Sequence, residues 1–282
     1  MDFQLGRPKD NLCQPLTTNF KVRNVNIKEV KKYILSHPEE FPSQNIELID
    51  KAPRFSCAGY VKDLNEAINK GELSFHREVI LFFETNNEGE VIVNTTRIQK
   101  VNPTDPFEVS KAEIEGRKQV LELYNLLRNK ISGFENCVIE YSGPNIGVRE
   151  SRKIRGEYTL SADDLFEDKY FEDEIARGGY PVDVHSPDGE GTNSRHLPYG
   201  ASYGIPYRSL INPQVKNIIT VGRCISATHE ACAAIRVSPI AMAIGQAGGT
   251  AAAICAKENK NAYEIDFNEL RENLRENGAY IK

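Results

Sequence analysis

The sequence predicts a mixed α/β fold (α+β), and three observations carry that expectation. Two apolar runs, 79–83 and 91–93, flank Asn86-Asn87-Glu88-Gly89, and this reads as a β-hairpin with a turn-forming tip. Residues 111–130 carry apolar side chains at helical spacing. Near the C-terminus, a strand-like run over 217–221 meets Gly222 and is followed by a small-residue helix over 239–256.

At 282 residues the chain is long enough for one large domain or two intimate ones. Its 40% hydrophobic and 27% charged residues are those of an ordinary globular protein, and the net charge of −5 points away from a nucleic-acid or membrane-surface binder. The N-terminus has no basic-then-apolar signal pattern. Six cysteines lie far apart with no C-x-x-C pair, which suits reduced, packed thiols and a cytoplasmic location.

Taken in order, residues 1–26 read as polar and irregular. A helix is expected over 27–36, ended by His37-Pro38, and a shorter one over 63–70, stopped by Gly71. The hairpin follows. The long helix is expected to start at a Ser110/Glu113 capping box, with Ile114, Leu121, Leu123, Tyr124, Leu126, Leu127 and Ile131 forming its apolar stripe. Ser132-Gly133 stops it, and 137–139 reads as a strand. Glycine, proline and tyrosine then dominate 141–213, where loops and short strands are expected, with an exposed turn over 186–191. Asp266 and Glu269 cap a last helix over 267–276 that ends near Gly278. These changes divide the chain into a substrate or cap region (1–145), a loop-rich bridge (146–212) and a C-terminal portion (213–282).

The block from Val221 to Gly249 concentrates the chemistry. Ser238 suits an N-cap and Pro239 the first helical position. The free N–H groups of such an end carry partial positive charge and can hold an anion or an electron-rich carbonyl. Gly245, Gly248 and Gly249 strip side chains from one helix face, so that a backbone or a flat ligand can approach. A tight helix–sheet contact without ligand explains the same glycines. The apolar run 240–256 is short for a membrane span and built largely of alanine and glycine, which favours a buried core helix.

Several side chains are candidates. His229 is an acid/base candidate beside this helix, or a core histidine. Arg236, among apolar neighbours, needs an anionic partner, for which a substrate carboxylate and Glu230 qualify. Arg149 and Arg152 lie in an alternating run. On a strand, Arg149 and Ser151 would point one way and Glu150 and Arg152 the other, as a carboxylate clamp or as a solvated charge cluster. Arg223 divides the same way. Tyr203 and Tyr207 are pocket or core aromatics. The remaining histidines, His37, His76, His185 and His196, read as surface residues. No G-x-S-x-G elbow supports a hydrolase, and no His/Cys/carboxylate cluster has metal-ligand spacing.

Four stretches carry a resemblance: residues 147–160 (GVRESRKIRGEYTL), 176–183 (ARGGYPVD), 205–210 (IPYRSL) and the block from Gly222 to Gly249. Together they resemble a bacterial family of FAD-dependent oxidoreductases within the two-dinucleotide-binding-domain flavoproteins, and the resemblance covers nearly the whole chain. It implies that residues 213–282 are the C-terminal portion of a Rossmann-like FAD-binding domain. It further implies that the helix opening at Val237, Ser238, Pro239 and Ile240 points its N–H groups at the flavin, with Gly222, Arg223 and Gly245 along the cofactor. Such a helix end favours a reduced, anionic flavin by about 0.3–2 kcal/mol.

One departure is central: no G-x-G-x-x-G occurs anywhere in the sequence, so the main pyrophosphate-binding turn is missing. The resemblance therefore implies a C-terminal fragment of a flavoenzyme that binds FAD weakly or not at all by itself and needs the missing N-terminal segment as partner. The expected activity of the complete enzyme is hydride transfer between flavin and a small-molecule substrate. Arg149, Arg152 and Arg236 favour an anionic one. The competing expectation is a noncatalytic fragment or subunit that folds without flavin.

Overall fold

The computed structural model describes residues 1–189 and 191–282; Glu190, inside the turn expected over 186–191, lies outside the described residues. Among the described residues, seven α-helices and a set of antiparallel ladders make a mixed α/β fold. The chain divides into two compact units. One comprises residues 15–148 with 188–191, and the other residues 1–14, 149–187 and 192–282.

The first unit is built on a five-stranded antiparallel sheet. Its spatial order is Ser56–Gly59, Ile80–Glu84, Val91–Val93, Phe20–Arg23, Val138–Ser142. The expected hairpin is present: Phe82 pairs with Val93 and Glu84 with Val91. Alternation of burial along these strands sends Phe82, Val91, Val93, Phe20 and Val22 into one core. The helices Ile27–Ser36 and Val61–Asn69 contribute to that core, the former with Val30 and Ile34 and the latter with Leu64 and Ala67. His37 ends the first of them, as the sequence indicates.

The long helix of this unit is Pro106–Lys130, one turn longer at its start than the capping-box pattern indicates. Asp105 is the cap. Its carboxylate accepts from the backbone N–H groups of Phe107 (2.8 Å) and Glu108 (3.4 Å), and Pro106 occupies the first position. Ser110 instead donates its hydroxyl to the Pro106 carbonyl, 2.8 Å away, as a residue inside the helix. The expected apolar stripe is also divided. Leu123, Leu126, Leu127 and Ile131 are buried, whereas Ile114 and Leu121 face outward.

The second unit is held by one large apolar cluster that draws on residues from Leu160 to Ile281. The bridge and the C-terminal portion expected from the sequence thus share a core. Its ladders are short pairs: Phe3–Leu5 with Arg152–Ile154, Val182–His185 with Thr192–Arg195, Glu174–Gly178 with Tyr203–Pro206, and Ile211–Asn212 with Val215–Ile219. Helix Ser238–Glu258 lays Ile240, Ile244, Ala247, Ala251 and Ile254 into the cluster. It is the one helix among the described residues long and apolar enough to cross a membrane, by length and composition only. The last helix, Phe267–Glu276, has the expected Asp266 cap. The buried strand expected over 217–221 is instead Val215–Ile219, and Ile218 and Val221 are exposed; among the described residues its ladder partner is the two-residue strand Ile211–Asn212, which leaves its other edge without a ladder partner.

The position of the cap makes a prediction. Asp105→Ala lowers the stability of the first unit by about 1 kcal/mol, whereas Ser110→Ala changes it by less than half as much. Urea denaturation followed by circular dichroism distinguishes the two.

Candidate functional site

Every residue that the sequence analysis singled out for chemistry lies in the second unit. His229 opens the helix His229–Ile235, whose N-cap Thr228 accepts from the Ala231 N–H at 3.2 Å. The ring is only 3% exposed. Nδ1 sits 2.7 Å from Oε2 of Glu150, which is fully buried. The approach is off the line of an Nδ1–H bond. Lys153, also fully buried, ion-pairs with the other oxygen of Glu150 and donates to the Gly6 carbonyl at 3.1 Å. The Gln14 backbone N–H donates to Glu150 at 3.2 Å. Nε2 of His229 has no hydrogen-bond partner among the described residues, which leaves it as the ring atom open to a reacting group.

Burial alone pushes the Glu150 carboxyl up, but the His229 contact and the Lys153 charge outweigh it and hold the group below its ordinary value. Glu150 therefore stays ionised beside the His229 ring. Glu150 and Lys153 form a buried ion pair that sequence reasoning did not single out. The alternation read over 149–152 requires an extended strand, yet the strand begins only at Arg152, with Lys153 and Ile154 turned inward. No local signal marks them, because Arg149, Arg152 and Arg155 surround the pair and the run reads as uniformly charged.

Arg236 lies between the two C-terminal helices. Its Nη2 donates to Oδ2 of Asp183 at 3.2 Å and to the Asp183 carbonyl at 3.3 Å. Asp183, not Glu230, is thus the protein anion that pairs with it. The same carboxylate receives His185 Nε2 at 3.2 Å and the Ser194 hydroxyl at 2.9 Å. Burial raises the Asp183 carboxyl, and His185, Ser194 and Arg236 together pull it far below the ordinary range. His185 is therefore part of the site's charge network, contrary to the surface position expected of it. Nε of Arg236 is buried without a partner, and Nη1 makes no hydrogen bond among the described residues, so Nη1 is the part of the donor fork that remains open. Arg149 and Arg236 both act electrostatically on Tyr180, which places Arg149 in this neighbourhood. Arg152 is placed elsewhere: its guanidinium is exposed and lies 5.2 Å from the Phe3 ring centroid.

The helix Ser238–Glu258 starts one residue earlier than its sequence indicates. Val237 is the N-cap, Ser238 and Pro239 fall in the first turn, and no side chain caps the end. No side chain binds the N–H groups of Ser238 and Ile240, the Ala241 N–H donates to the Val237 carbonyl at 3.0 Å, and the Ile240 side chain reaches back to the core. Gly222 adopts a left-handed conformation (φ +70°) where the chain leaves the preceding strand, and Arg223 is exposed beside it. Between that strand and the helix runs a groove of about 480 Å³ lined by Ile219, Val221, Gly245, Gly248 and Gly249. A Cβ at Gly248 would come within 2.3 Å of Val221, so this glycine is required for helix–strand contact. At Gly245 and Gly249 a Cβ would meet nothing within 4 Å, so those two keep the groove clear.

The tyrosines settle as core. Tyr203 and Tyr207 are fully buried and donate their hydroxyls to the carbonyls of Tyr180 (3.2 Å) and Ala262 (2.9 Å). Five cysteines are buried and Cys224 is exposed. Burial pushes the Cys232 thiol up to about 12, so it is no nucleophile. No group of three or more metal-ligating side chains occurs among the described residues.

Two outcomes follow from the buried charges. Lys153→Met strands the Glu150 carboxylate and lowers stability by about 3–5 kcal/mol. The double variant Glu150→Gln/Lys153→Met recovers most of that loss in urea denaturation. Acidification acts through Glu150 and Asp183, whose carboxyls are depressed in the folded state. Their stabilising contribution is complete above the ordinary carboxylate range. It is lost as pH falls below about 4, which a series of thermal melts from pH 7 downward reads directly.

The family model described as FAD dependent oxidoreductase matches residues 1–274, almost the entire chain. No curated protein and no solved structure matches it. The open helix end, the glycine-lined groove and the paired arginine side chains are consistent with that match, and the chain belongs to the FAD-dependent oxidoreductase family.

Proposed function

We propose that this chain is the C-terminal part of a cytoplasmic FAD-dependent oxidoreductase that transfers hydride between flavin and a small anionic substrate. The uncapped first turn of the helix Ser238–Glu258 carries the reading. A helix end of 21 residues, with its N–H groups bound by no side chain, is a place for a partly negative ring edge. Ser238 and Ile240 would supply N–H groups to that edge, with Gly222 and Gly245 leaving room for the rest of the cofactor. When bound, FAD supplies the two-electron chemistry.

The chain's own residues do the remainder. His229, held against Glu150 at Nδ1, keeps Nε2 for moving the substrate proton. Glu150 steadies the charge that the ring gains. Arg236 keeps part of its fork open to a substrate carboxylate while Asp183 fixes its position. Arg149 adds positive charge on the same side.

The partner in this reading is a segment bearing the Gly-rich dinucleotide-binding turn that the sequence lacks. The outward face of the helix supports it. Met242 is 73% exposed, and Gly249, Ala252, Ala253 and Ala256 leave a flat apolar surface beside exposed Ile218 and Val221.

Flavin fluorescence tests the proposal. FAD is expected to bind weakly to the chain alone and firmly when a family segment carrying G-x-G-x-x-G is added. Gly249→Arg, which this chain accommodates because nothing crowds the position, abolishes the firm binding. With FAD held, His229→Gln slows flavin reduction by a panel of small carboxylates by roughly 10²–10⁴-fold. Absence of flavin binding in the mixture would overturn the assignment.

A further inference from the structure

The long helix Pro106–Lys130 presents an outer face of unusual composition. Three apolar side chains stand on it at seven-residue spacing: Phe107 (78% exposed), Ile114 (73%) and Leu121 (58%). The other fully exposed positions are Pro106, Ser110, Lys111, Arg117, Lys118, Asn125, Arg128 and Asn129. No glutamate of the helix is among them, although the chain as a whole carries a net charge of −5.

The acids are turned inward by their own chain. Glu108 accepts from the Asn102 N–H at 2.6 Å, and Glu113 accepts from the Ile146 N–H. Glu115 accepts from the Gln119 amide at 3.2 Å, and Glu122 from the Ser74 N–H at 2.9 Å. The cations remain outside. Lys111 has no ion-pair partner among the described residues, Lys118 reaches Glu122 only at 3.9 Å, and Arg117 is held by Glu113 at 3.5 Å and by the Ser142 hydroxyl at 2.8 Å. The result is a narrow apolar seam about 21 Å long, bordered by Lys111 and Lys118 on one side and Arg117 and Arg128 on the other.

We infer that this face docks an acidic amphipathic helix, one whose apolar residues recur every seven positions between aspartates or glutamates. The repeat of seven is the spacing at which two helices keep one seam in contact, with charge on the flanks choosing the partner. Lys111 and Lys118, with Arg128 across the seam and no exposed glutamate on the helix, select a negative flank. A second copy of this chain is disfavoured, because pairing the same face with itself sets lysine and arginine against lysine and arginine. An anionic membrane fits less well, since a surface-lying helix buries a broad apolar face and this seam is one residue wide. The inference is independent of the flavin reading, since it concerns the other unit of the chain.

The probe is a fluorescently labelled synthetic helix of three heptads with leucine at the seam and glutamate on both flanks, measured by anisotropy against the full chain. It is expected to bind, to weaken as salt is raised from low to physiological ionic strength, and to lose roughly tenfold or more in affinity with Ile114→Ser. Lys111→Glu/Lys118→Glu has the same expected effect, and a matched peptide with lysine flanks is expected not to bind. Circular dichroism of both variants controls for folding; because these side chains are exposed, the spectra stay unchanged. Four results would overturn the inference: no binding of the acidic peptide, equal binding of the lysine peptide, self-association of the chain that Ile114→Ser removes, or flotation with phosphatidylserine vesicles that Ile114→Ser removes.

Discussion

Three stretches of chain far apart in sequence converge on the buried carboxylate of Glu150. The N-terminal segment reaches it through the Gln14 N–H, the segment after residue 149 through Lys153, and the C-terminal half through His229. A carboxylate with no solvent is tolerable only if it is paired and its lone pairs are used. The need to satisfy this one group therefore fixes where residues 6–14, 150–153 and 229 lie within the second unit. Gly6 makes the N-terminal arm compatible with it. In its left-handed conformation (φ +52°) its nearest neighbour would lie 2.4 Å from a Cβ, so the backbone turns there as only glycine allows, and its carbonyl caps Lys153. The same arrangement that stabilises the unit also holds the acid/base candidate, so structure and chemistry share one set of contacts.

Legibility in the sequence followed the range of the forces involved. The helices at 27–36 and 267–276, the hairpin and the small-residue helix were readable because period and capping are local. The start of the long helix was not. Asp105-Pro106 and Ser110 both offer capping chemistry, and the choice between them depends on whether the chain from 106 to 110 is helical, which is a tertiary outcome. At the site, His229, Arg236 and Arg149 could be named from residue type and neighbourhood. Their partners could not: Asp183 lies 53 positions from Arg236, and Glu150 lies 79 from His229 (229 − 150). Hydrogen-bond and charge pairing across such distances leaves no periodic trace. Arg152, which the sequence leaves as either a carboxylate clamp or a solvated charge, has an exposed guanidinium.

Apolar character along the sequence and burial in the fold diverge at two places, and the divergence has different forms. On the strand Val215–Ile219 and the outer face of the helix Ser238–Glu258, small and apolar residues form a flat exposed surface. On Pro106–Lys130, isolated large side chains stand between cations. Flatness suits contact with another sheet or backbone, whereas projecting side chains suit insertion between the side chains of another helix. Each unit thus carries an apolar surface whose texture differs according to what it can pack against.

The unit containing Glu150 is interrupted by 15–148, and this insertion has a kinetic consequence. Pairing Phe3 with Ile154 closes a loop of about 150 residues, at an entropic cost near 4 kcal/mol beyond the constant term for an unstructured chain. The inserted unit removes most of that penalty, because its own ends are tied: Thr17 and Gly147 exchange backbone hydrogen bonds of 3.1 and 2.7 Å. Once the insertion has folded, residues 14 and 149 emerge side by side, and the outer unit experiences a connection of only a few residues. An interior stretch that is already folded thus lowers the closure cost of joining residues 3–5 to 152–154.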